Sequence, residues 1–277
     1  MELRQRLLTA LILIPLVVWA VLGLNTSTLG LILALFVLLG SWEWGRLIGL
    51  RSVVARIGYA LMIATLLLLV HALTRELSGV ALMVFAVAGL WWLIATLWVL
   101  RYRGATGVRA VDTFIGMLVG IVVLVPAWLA LTRIHGFSAA GPYLMLFVMV
   151  LIWAADSGAY FAGRKLGRHK LAPAVSPGKT VEGVIGGLLA AALFALAAAF
   201  GFDLPVLGVF GFVLLSLAVV LLSVVGDLFE SLMKRRVGVK DSGQLLPGHG
   251  GVLDRIDSLT AAAPVFALGL SLFEGLR

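Results

Sequence analysis

The feature that most constrains this sequence is a succession of long apolar runs separated by short polar connections. Each run is near the roughly 20 residues that an α-helix needs to cross a hydrocarbon layer about 30 Å thick. Because lipid offers no partners to backbone N–H and C=O groups, such segments fold as helices that satisfy these groups internally. We therefore predict an all-α, polytopic membrane helix bundle. Its transmembrane helices, about nine, are expected near residues 7–24, 29–44, 57–73, 80–100, 111–131, 142–162, 181–200, 206–226 and 259–276.

Composition excludes a water-soluble fold, since 62% of the residues are hydrophobic and only 12% are charged. Soluble domains average roughly 45–50% apolar and about 25% charged residues. The first apolar run is not followed by a small-residue cleavage site and a polar domain, so we interpret it as a membrane helix and not as a signal peptide. We expect one membrane domain over residues 1–277.

The distribution of Lys and Arg predicts the orientation of these helices. With a cytosolic N-terminus, only Arg75, Arg133 and Arg277 of the 21 basic residues fall on the far side, and the remaining 18 fall on the cytosolic side. Cytosolic loops of membrane proteins carry such an excess of positive charge. The sequence therefore predicts a cytosolic N-terminus and a C-terminus on the opposite side.

The net charge of +8 does not indicate nucleic-acid binding, because the basic residues are dispersed among connections and form no basic domain. They suit contact with anionic lipid headgroups instead. The absence of Cys excludes disulfides, thiolate catalysis and Cys-based zinc sites.

Three carboxylates from distant segments are predicted to meet at the cytosolic ends of the helices. Asp156 lies near the end of the sixth span, Asp227 closes the eighth, and Asp254 precedes the ninth. A carboxylate inside the apolar layer costs about 2–3 kcal/mol, so it requires a polar cavity, a cation or a basic partner such as Arg164 or Lys165. A helix ending at Asp227 would also add its negative dipole end. Oxygen ligands of this kind suit Mg²⁺ bound together with phosphates.

A polar stripe accompanies the second of these carboxylates. Asp227, Glu230, Ser231 and Lys234 follow one another at spacings that place them on one helical face. The stripe is typical either of a site or of a solvated helix end. Because these acids lie late in the chain, we expect residues 1–140 to supply transmembrane helices and residues 141–277 to form a catalytic half with cytosolic-side loops.

Two connections in that half are rich in glycine and in basic residues, over 163–183 and 234–251. Glycine allows the backbone to approach an anion closely, and basic groups neutralise it. The run from Pro177 to Thr180 is not a nucleotide-binding P-loop, since Pro173 stands where that motif requires glycine and no strand is expected before it. On spacing alone, each connection is either a phosphate-binding loop or a basic cytosolic loop.

The motif residues in these connections resemble those of the CDP-diacylglycerol synthase (phosphatidate cytidylyltransferase) family. The resemblance is strong over about residues 150–260. The first connection carries it at Asp156, Ser157, Gly158, Ala159, Tyr160, Gly163, Ser176, Pro177, Lys179, Thr180, Glu182 and Gly183. The second carries it at Ser231, Lys234, Arg235, Lys240, Asp241, Gly243, Leu246, Pro247, His249, Gly250, Gly251, Asp254, Arg255 and Asp257.

This resemblance implies that CTP and phosphatidic acid react to give CDP-diacylglycerol and pyrophosphate. It further implies Mg²⁺ or another divalent metal, CTP as a substrate, a homodimer, and a bacterial inner membrane with the active site facing the cytosol. The metal ligands are expected to be Asp227 and Asp254, with Asp156 as a further group.

The resemblance also assigns roles to the other polar groups. The residues expected to act in the chemical step are Asp227, Asp254, Lys240, Asp241 and His249. Those expected to bind substrate phosphates are Lys179, Thr180, Ser231, Lys234, Arg235 and Arg255. For His249, a structural or phosphate-contacting role competes with that of a general acid for the departing pyrophosphate.

Other functions remain open at this point. A CTP-dependent lipid kinase of the dolichol kinase type would release CDP instead of pyrophosphate. A secondary transporter also uses intramembrane carboxylates, but at the bilayer midplane between repeated halves. A lipid-binding scaffold would have little reason to gather carboxylates. Glu43 and Trp44, in the second span, are interpreted as interfacial anchors.

Overall fold

The structure is a computed structural model that describes residues 2–77, 79–104, 107, 110–202, 204–245 and 250–272, with side chains from Leu11 onward. Within these ranges the chain forms nine α-helices and one short β-hairpin. The elements are α1 Glu2–Gly23, α2 Thr26–Leu47, α3 Val53–Glu76, α4 Val80–Arg101, α5 Ala110–His135, α6 Gly141–Leu166, β1 Lys170–Ala172, β2 Ser176–Thr180, α7 Val181–Gly201, α8 Val206–Arg236 and α9 Leu253–Leu272.

The predicted membrane helix bundle is confirmed. Among the described residues, eight helices, α2 to α9, are long and apolar enough to cross a membrane, and α1 contributes the shorter apolar stretch Leu11–Gly23. Large apolar side chains point outward, as at Val54 on α3, Met83 on α4 and Leu193 on α7, each at least 70% exposed. Such surfaces are suited to lipid and not to water.

Two helix boundaries differ from the prediction, and both changes place predicted site residues inside helices instead of at their ends. α8 continues to Arg236 instead of ending near residue 226, because strong helix formers follow Asp227. Gly238, with a φ of +73°, lies just past the end of the helix. α9 begins at Leu253 instead of near residue 259. The predicted dipole contribution at Asp227 is therefore wrong, and Asp254 lies inside the first turn of α9.

The hairpin β1–β2 was not expected from the sequence. Its antiparallel strands pair Lys170 with Thr180 and Ala172 with Ser176. Pro177 and Gly178 disfavour a strand in general, but a two-stranded ribbon has only edges, where proline is tolerated. Thr180 then caps α7 by accepting a hydrogen bond from the N–H of Gly183, at 3.1 Å.

Small residues allow the site-bearing helices to approach closely. A Cβ added at Gly158 on α6 would lie 2.6 Å from the Cβ of Ala190 on α7, and one at Gly226 on α8 would lie 2.6 Å from the carbonyl oxygen of Asp257 on α9. Contacts between small residues are the usual means of close helix packing in membranes. The Gly226 contact places Asp227 next to the first turns of α9.

Hydrogen bonds between segments distant in sequence mark the two ends of the bundle. At one end, the N–H of Gly107 donates to the carbonyl of Arg236 at the end of α8, at 3.0 Å. At the other, Arg133 donates to the carbonyl of Thr74, and the ring of His135 lies 2.8 Å from the carbonyl of Val21. We call the end of the bundle that contains Arg236, the last residue of α8, the α8 end.

The first prediction concerns which side of the membrane the α8 end faces. Cysteines introduced singly at Arg103, Lys170 and Lys240, which are exposed, should react with an impermeant maleimide only from the cytosolic side. The charge bias is the physical reason, and the chain contains no Cys that would add background. A cysteine at exposed Ala139, in the connection before α6, is the control and should react only from outside. The opposite pattern would reverse the orientation.

Candidate active site

The hairpin, the C-terminal half of α6 and the N-terminal end of α7 line a cavity of about 360 Å³. Asp156, Tyr160, Lys179 and Thr180 contribute to its lining. Arg164, also at the wall, donates to the hydroxyl of Tyr160 at 2.9 Å instead of pairing with Asp156. The predicted polar environment of Asp156 is thus present, and it is built by the β-hairpin.

Lys179 joins this cavity to α8. Its ammonium lies 2.7 Å from the carboxylate of Asp227, and both side chains remain about one-third exposed. Asp156 is close enough to interact electrostatically with both groups. Asp156 and Asp227 therefore lie near each other and near Lys179 of β2. For Asp156, the sequence had suggested a basic partner at the end of α6, Arg164 or Lys165, whereas the charge beside it is that of Lys179.

A second lysine holds the beginning of α9. The ammonium of Lys234 lies 2.6 Å from Asp254 and 3.3 Å from Glu230, and all three side chains are at most 10% exposed. Asp254 also accepts hydrogen bonds from the N–H and hydroxyl of Ser242, both at 3.0 Å, and from the N–H of Gly251 at 2.8 Å. Its carboxylate is thus fixed from both sides of the loop 242–251.

Two further carboxylates lie between Asp227 and Asp254. Glu230 is 3% exposed, and within the described ranges it pairs with Lys234 at 3.3 Å but makes no hydrogen bond of good geometry. Asp257 interacts electrostatically with Asp227 and Glu230. We call Asp156, Asp227, Glu230, Asp254 and Asp257 the carboxylate row.

The carboxylate row contains more acidic groups than basic partners. Among the described residues, ion pairs join it to the ammonium groups of Lys179 and Lys234. Carboxyl oxygens are the ligands that Mg²⁺ prefers, so the residue types of the row suit a divalent cation. No three His, Asp or Glu side chains of the described residues are grouped so as to hold a metal ion as they stand. Joint ligation by Asp227 and Asp254 therefore stays a prediction.

The other predicted site residues fall into different environments. Arg235 donates to the carbonyls of Val175 and Val239, so it attaches the hairpin and the following loop to α8. Ser231 donates weakly to Asp227 at 3.4 Å. Three of the predicted site residues are exposed at the α8 end: Lys240, Asp241 and Arg255. His249 lies outside the described residues, as do Leu246 and Pro247.

Glu43 is the site-associated residue that the sequence interpretation missed. The assignment of Glu43 and Trp44 as interfacial anchors is wrong, because they are only 3% and 1% exposed. Trp44 donates to the carbonyl of Gly116 at 2.9 Å, and Glu43 accepts three hydrogen bonds around the start of α9. A carboxylate inside an apolar run was the available signal, since such residues are expensive unless paired.

A larger cavity of about 820 Å³ also opens at the α8 end. Its lining includes Arg46, Arg51, Arg56 and Arg236, and none of the described residues that line it is acidic. Arg56 is fixed by the carbonyls of Leu50 and Arg51. The basic groups of this cavity add to the positive charge of the α8 end, whereas the carboxylate row belongs to the region beside the smaller cavity.

Comparison with known proteins identifies the class. The sequence model of the cytidylyltransferase family matches residues 4–273, and the chain therefore belongs to this family.

Its relatives narrow that class. A protein of Pseudomonas aeruginosa is 44% identical over 265 residues, covering 96% of both chains, and one of Haemophilus influenzae is 39% identical over 282 residues, covering 96% of this chain and 97% of the relative. A protein of Brucella suis is 36% identical over 278 residues, covering 98% and 94%. All three are named phosphatidate cytidylyltransferase, which confirms the family resemblance of the motifs.

The second prediction tests the buried lysine. Replacing Lys234 with Met removes the ammonium and leaves Glu230 and Asp254 without their cation. Breaking a buried ion pair in this way typically costs about 3–5 kcal/mol. We expect a clearly lower melting temperature in detergent, measured by tryptophan fluorescence. The matched control is Lys240→Met at an exposed lysine, which should leave the melting temperature unchanged. An equally stable Lys234→Met protein would contradict the ion-pair assignment.

Proposed function

We propose that this chain is a phosphatidate cytidylyltransferase that converts CTP and phosphatidic acid to CDP-diacylglycerol and pyrophosphate. The observation that carries the proposal is the match of relatives with this name to almost the whole chain, including every helix that builds the site. The membrane bundle supports it, because a lipid substrate can reach the site from the bilayer while a nucleotide enters from water.

The reaction requires two anions to meet in line. A phosphatidate oxygen forms a bond to the α-phosphorus of CTP, and the bond from that phosphorus to the bridging oxygen of the β-phosphate breaks. Pyrophosphate leaves with the electron pair. The lipid phosphate is ionised near neutral pH, so no protein nucleophile is needed. Most of the catalytic effect then comes from positioning and from stabilisation of charge.

The lysines of the site are suited to this task. Lys179 is about one-third exposed and lies on the hairpin beside the smaller cavity, so an incoming phosphate competes with Asp227 for its ammonium. We assign phosphate binding also to Lys234, Arg235, Lys240 and Arg255. Glu230 and Asp254 pair with Lys234 and thereby fix the position of its ammonium group. Thr180 and Ser231 supply hydroxyl groups nearby.

A bound Mg²⁺ would supply charge neutralisation for the triphosphate and the departing pyrophosphate. Asp227 and Asp254 are the residues we assign to hold it, with Asp156 as a further group. The gathering of several carboxyl groups around only two described lysines supports this assignment. Release of Lys179 to a substrate phosphate would free Asp227 as a ligand. Asp241 and His249 complete the set of residues assigned to the chemical step.

The proposed setting is a bacterial inner membrane with the N-terminus and the active site on the cytosolic side. The charge bias of the sequence supports the orientation, and the bacterial relatives support the membrane. The homodimer is carried by the family resemblance, and the mass of the detergent-purified protein measured by light scattering would test it.

Two alternatives are disfavoured by specific observations. A secondary transporter would place its charged site near the bilayer midplane. Asp227 instead lies 21 residues after the start of α8, about 30 Å along the helix axis at 1.5 Å per residue. That distance puts it near the far boundary of a hydrocarbon layer about 30 Å thick. A CTP-dependent lipid kinase would also bind CTP and a lipid. The relatives, however, are named as cytidylyltransferases and not as kinases.

The third prediction concerns the products. Purified protein in detergent micelles with phosphatidate, CTP and Mg²⁺ should release pyrophosphate and form CDP-diacylglycerol in equal amounts. Attack at the α-phosphorus is the reason for this stoichiometry. Chromatography of the lipid and an enzymatic pyrophosphate assay measure the two products. Omission of phosphatidate is the control. Formation of CDP with a phosphorylated lipid would establish the kinase alternative.

The fourth prediction tests the metal assignment. Asp227→Asn and Asp254→Asn keep the size of the side chain and delete its charge, so each should lower kcat by about 100-fold or more, beyond the 10–100-fold typical of groups that only support a ligand. Each should also alter the Mg²⁺ titration. The matched control is Asp112→Asn, whose carboxylate pairs with Arg236 at 3.4 Å outside the carboxylate row. Its activity should stay within about twofold of wild type.

A melting curve accompanies each of these variants, so that loss of activity is compared among folded proteins. A folded Asp227→Asn or Asp254→Asn enzyme with normal kcat and an unaltered Mg²⁺ titration would show the assignment to be wrong.

A further inference from the structure

The carboxylate of Glu43 connects an N-terminal helix to the start of α9. Its oxygens accept hydrogen bonds from the N–H of Val252 at 3.0 Å, the N–H of Leu253 at 2.8 Å and the hydroxyl of Ser242 at 3.0 Å. These partners lie about 200 residues away in sequence. The side chain is 3% exposed, so each bond is protected from water.

Two glycines pack closely against this carboxylate. A Cβ added at Gly243 would lie 2.7 Å from the carboxyl carbon of Glu43, and one at Gly251 would overlap its second oxygen. Neither position has room for a side chain while Glu43 is in place. Gly243 and Gly251, near the two ends of segment 242–251, therefore pack directly against Glu43.

The same loop ends hold Asp254. Ser242 offers its N–H and hydroxyl to Asp254, each at 3.0 Å, and Gly251 donates its N–H at 2.8 Å. The Ser242 hydroxyl lies 3.0 Å from Glu43 and from Asp254. One hydroxyl carries one hydrogen, so the two carboxylates share a single bridging donor. The position of Asp254 thus depends on the segments that Glu43 fixes.

We propose that Glu43 is a positioning residue of the cytidylyl-transfer site, acting through Ser242 and the start of α9 to orient Asp254 toward Lys234. The inference rests on the proposed role of Asp254. Buried carboxylates are retained where several donors satisfy them, and here all three donors belong to segments that flank one site residue. Groups that orient a ligand side chain typically change activity or metal affinity by about 10–100-fold when they are removed.

The test is Glu43→Gln in the full-length protein. The amide keeps the volume but turns one acceptor oxygen into a donor, so either the N–H of Val252 or that of Leu253 loses its acceptor. We expect kcat to fall about 10–100-fold, with a smaller change in KM for CTP and a higher Mg²⁺ midpoint. A purely structural role would lower the amount of folded protein without changing kcat for each folded molecule.

The matched control is Trp128→Phe, which also deletes a buried bond between helices, from the indole N–H to the carbonyl of Gly30 at 2.8 Å. It should lower the melting temperature and leave kcat and the Mg²⁺ midpoint unchanged. Normal kcat in folded Glu43→Gln protein would overturn the inference. If that variant does not fold, Glu43→Asp decides, because it keeps the charge but withdraws the carboxylate from Val252, Leu253 and Ser242, and leaves the Ser242–Asp254 bond in place. Reduced kcat supports the inference, and normal kcat overturns it.

Asp254→Asn measured in parallel separates this inference from the proposed site. An active Asp254→Asn enzyme would refute the role of Asp254, and with it the pathway through Glu43. An inactive Asp254→Asn enzyme beside a fully active Glu43→Gln enzyme would refute only the positioning role.

Discussion

The balance of charge around Lys234 is the constraint on which the rest of the site depends. This ammonium lies among buried carboxylates of α8 and α9, at 3.3 Å from Glu230 and 2.6 Å from Asp254. Removing charges from water is expensive, and a buried pair is tolerated only when further hydrogen bonds satisfy it. Asp254 has those bonds, whereas Glu230 has the ion pair with Lys234 but no well-formed hydrogen bond among the described residues. The site thus combines one well-satisfied carboxylate with a buried carboxyl group that has a single cationic partner.

Close helix packing makes this concentration of charge possible. At Gly226 the backbones of α8 and α9 approach so closely that a methyl group would meet the carbonyl of Asp257. Gly158 does the same between α6 and α7. Larger residues would separate the helices, and the lysine and carboxylate side chains would then no longer reach one another. Gly158 and Gly226 are therefore packing contacts that set the spacing of the helices that carry the carboxylate row.

Much of the fold was predictable, because hydropathy reports directly on segments that must satisfy their own backbone in lipid. The polar stripe on α8 was also predictable, since helical spacing places Asp227 and Lys234 on one face. The end of α8 could not be predicted from hydropathy, because the apolar run ends at the first charged residue. The residues after Asp227 still favour a helix, which continues to Arg236. The partner of Asp227 was missed for a different reason. Lys179 reaches it from a hairpin whose strands are too short to give a periodic pattern.

Glu43 of α2 accepts hydrogen bonds from the start of α9, so the N-terminal half of the chain also supports the site. The need for this acceptor has a physical cause. The first N–H groups of a helix have no partner within the helix, and at α9 they follow a turn in which Gly250 has a φ of +82°. The local capping residue Asp254 accepts from Gly251 but not from Val252 or Leu253. Those two donors are buried, so they require an acceptor from another segment. Glu43 supplies it, and its negative charge also interacts favourably with the N-terminal end of the α9 dipole. Because the acceptor lies on a helix that is held in the bundle by the bond from Trp44 to Gly116, the position of Val252 and of the start of α9 is coupled to the packing of the N-terminal helices.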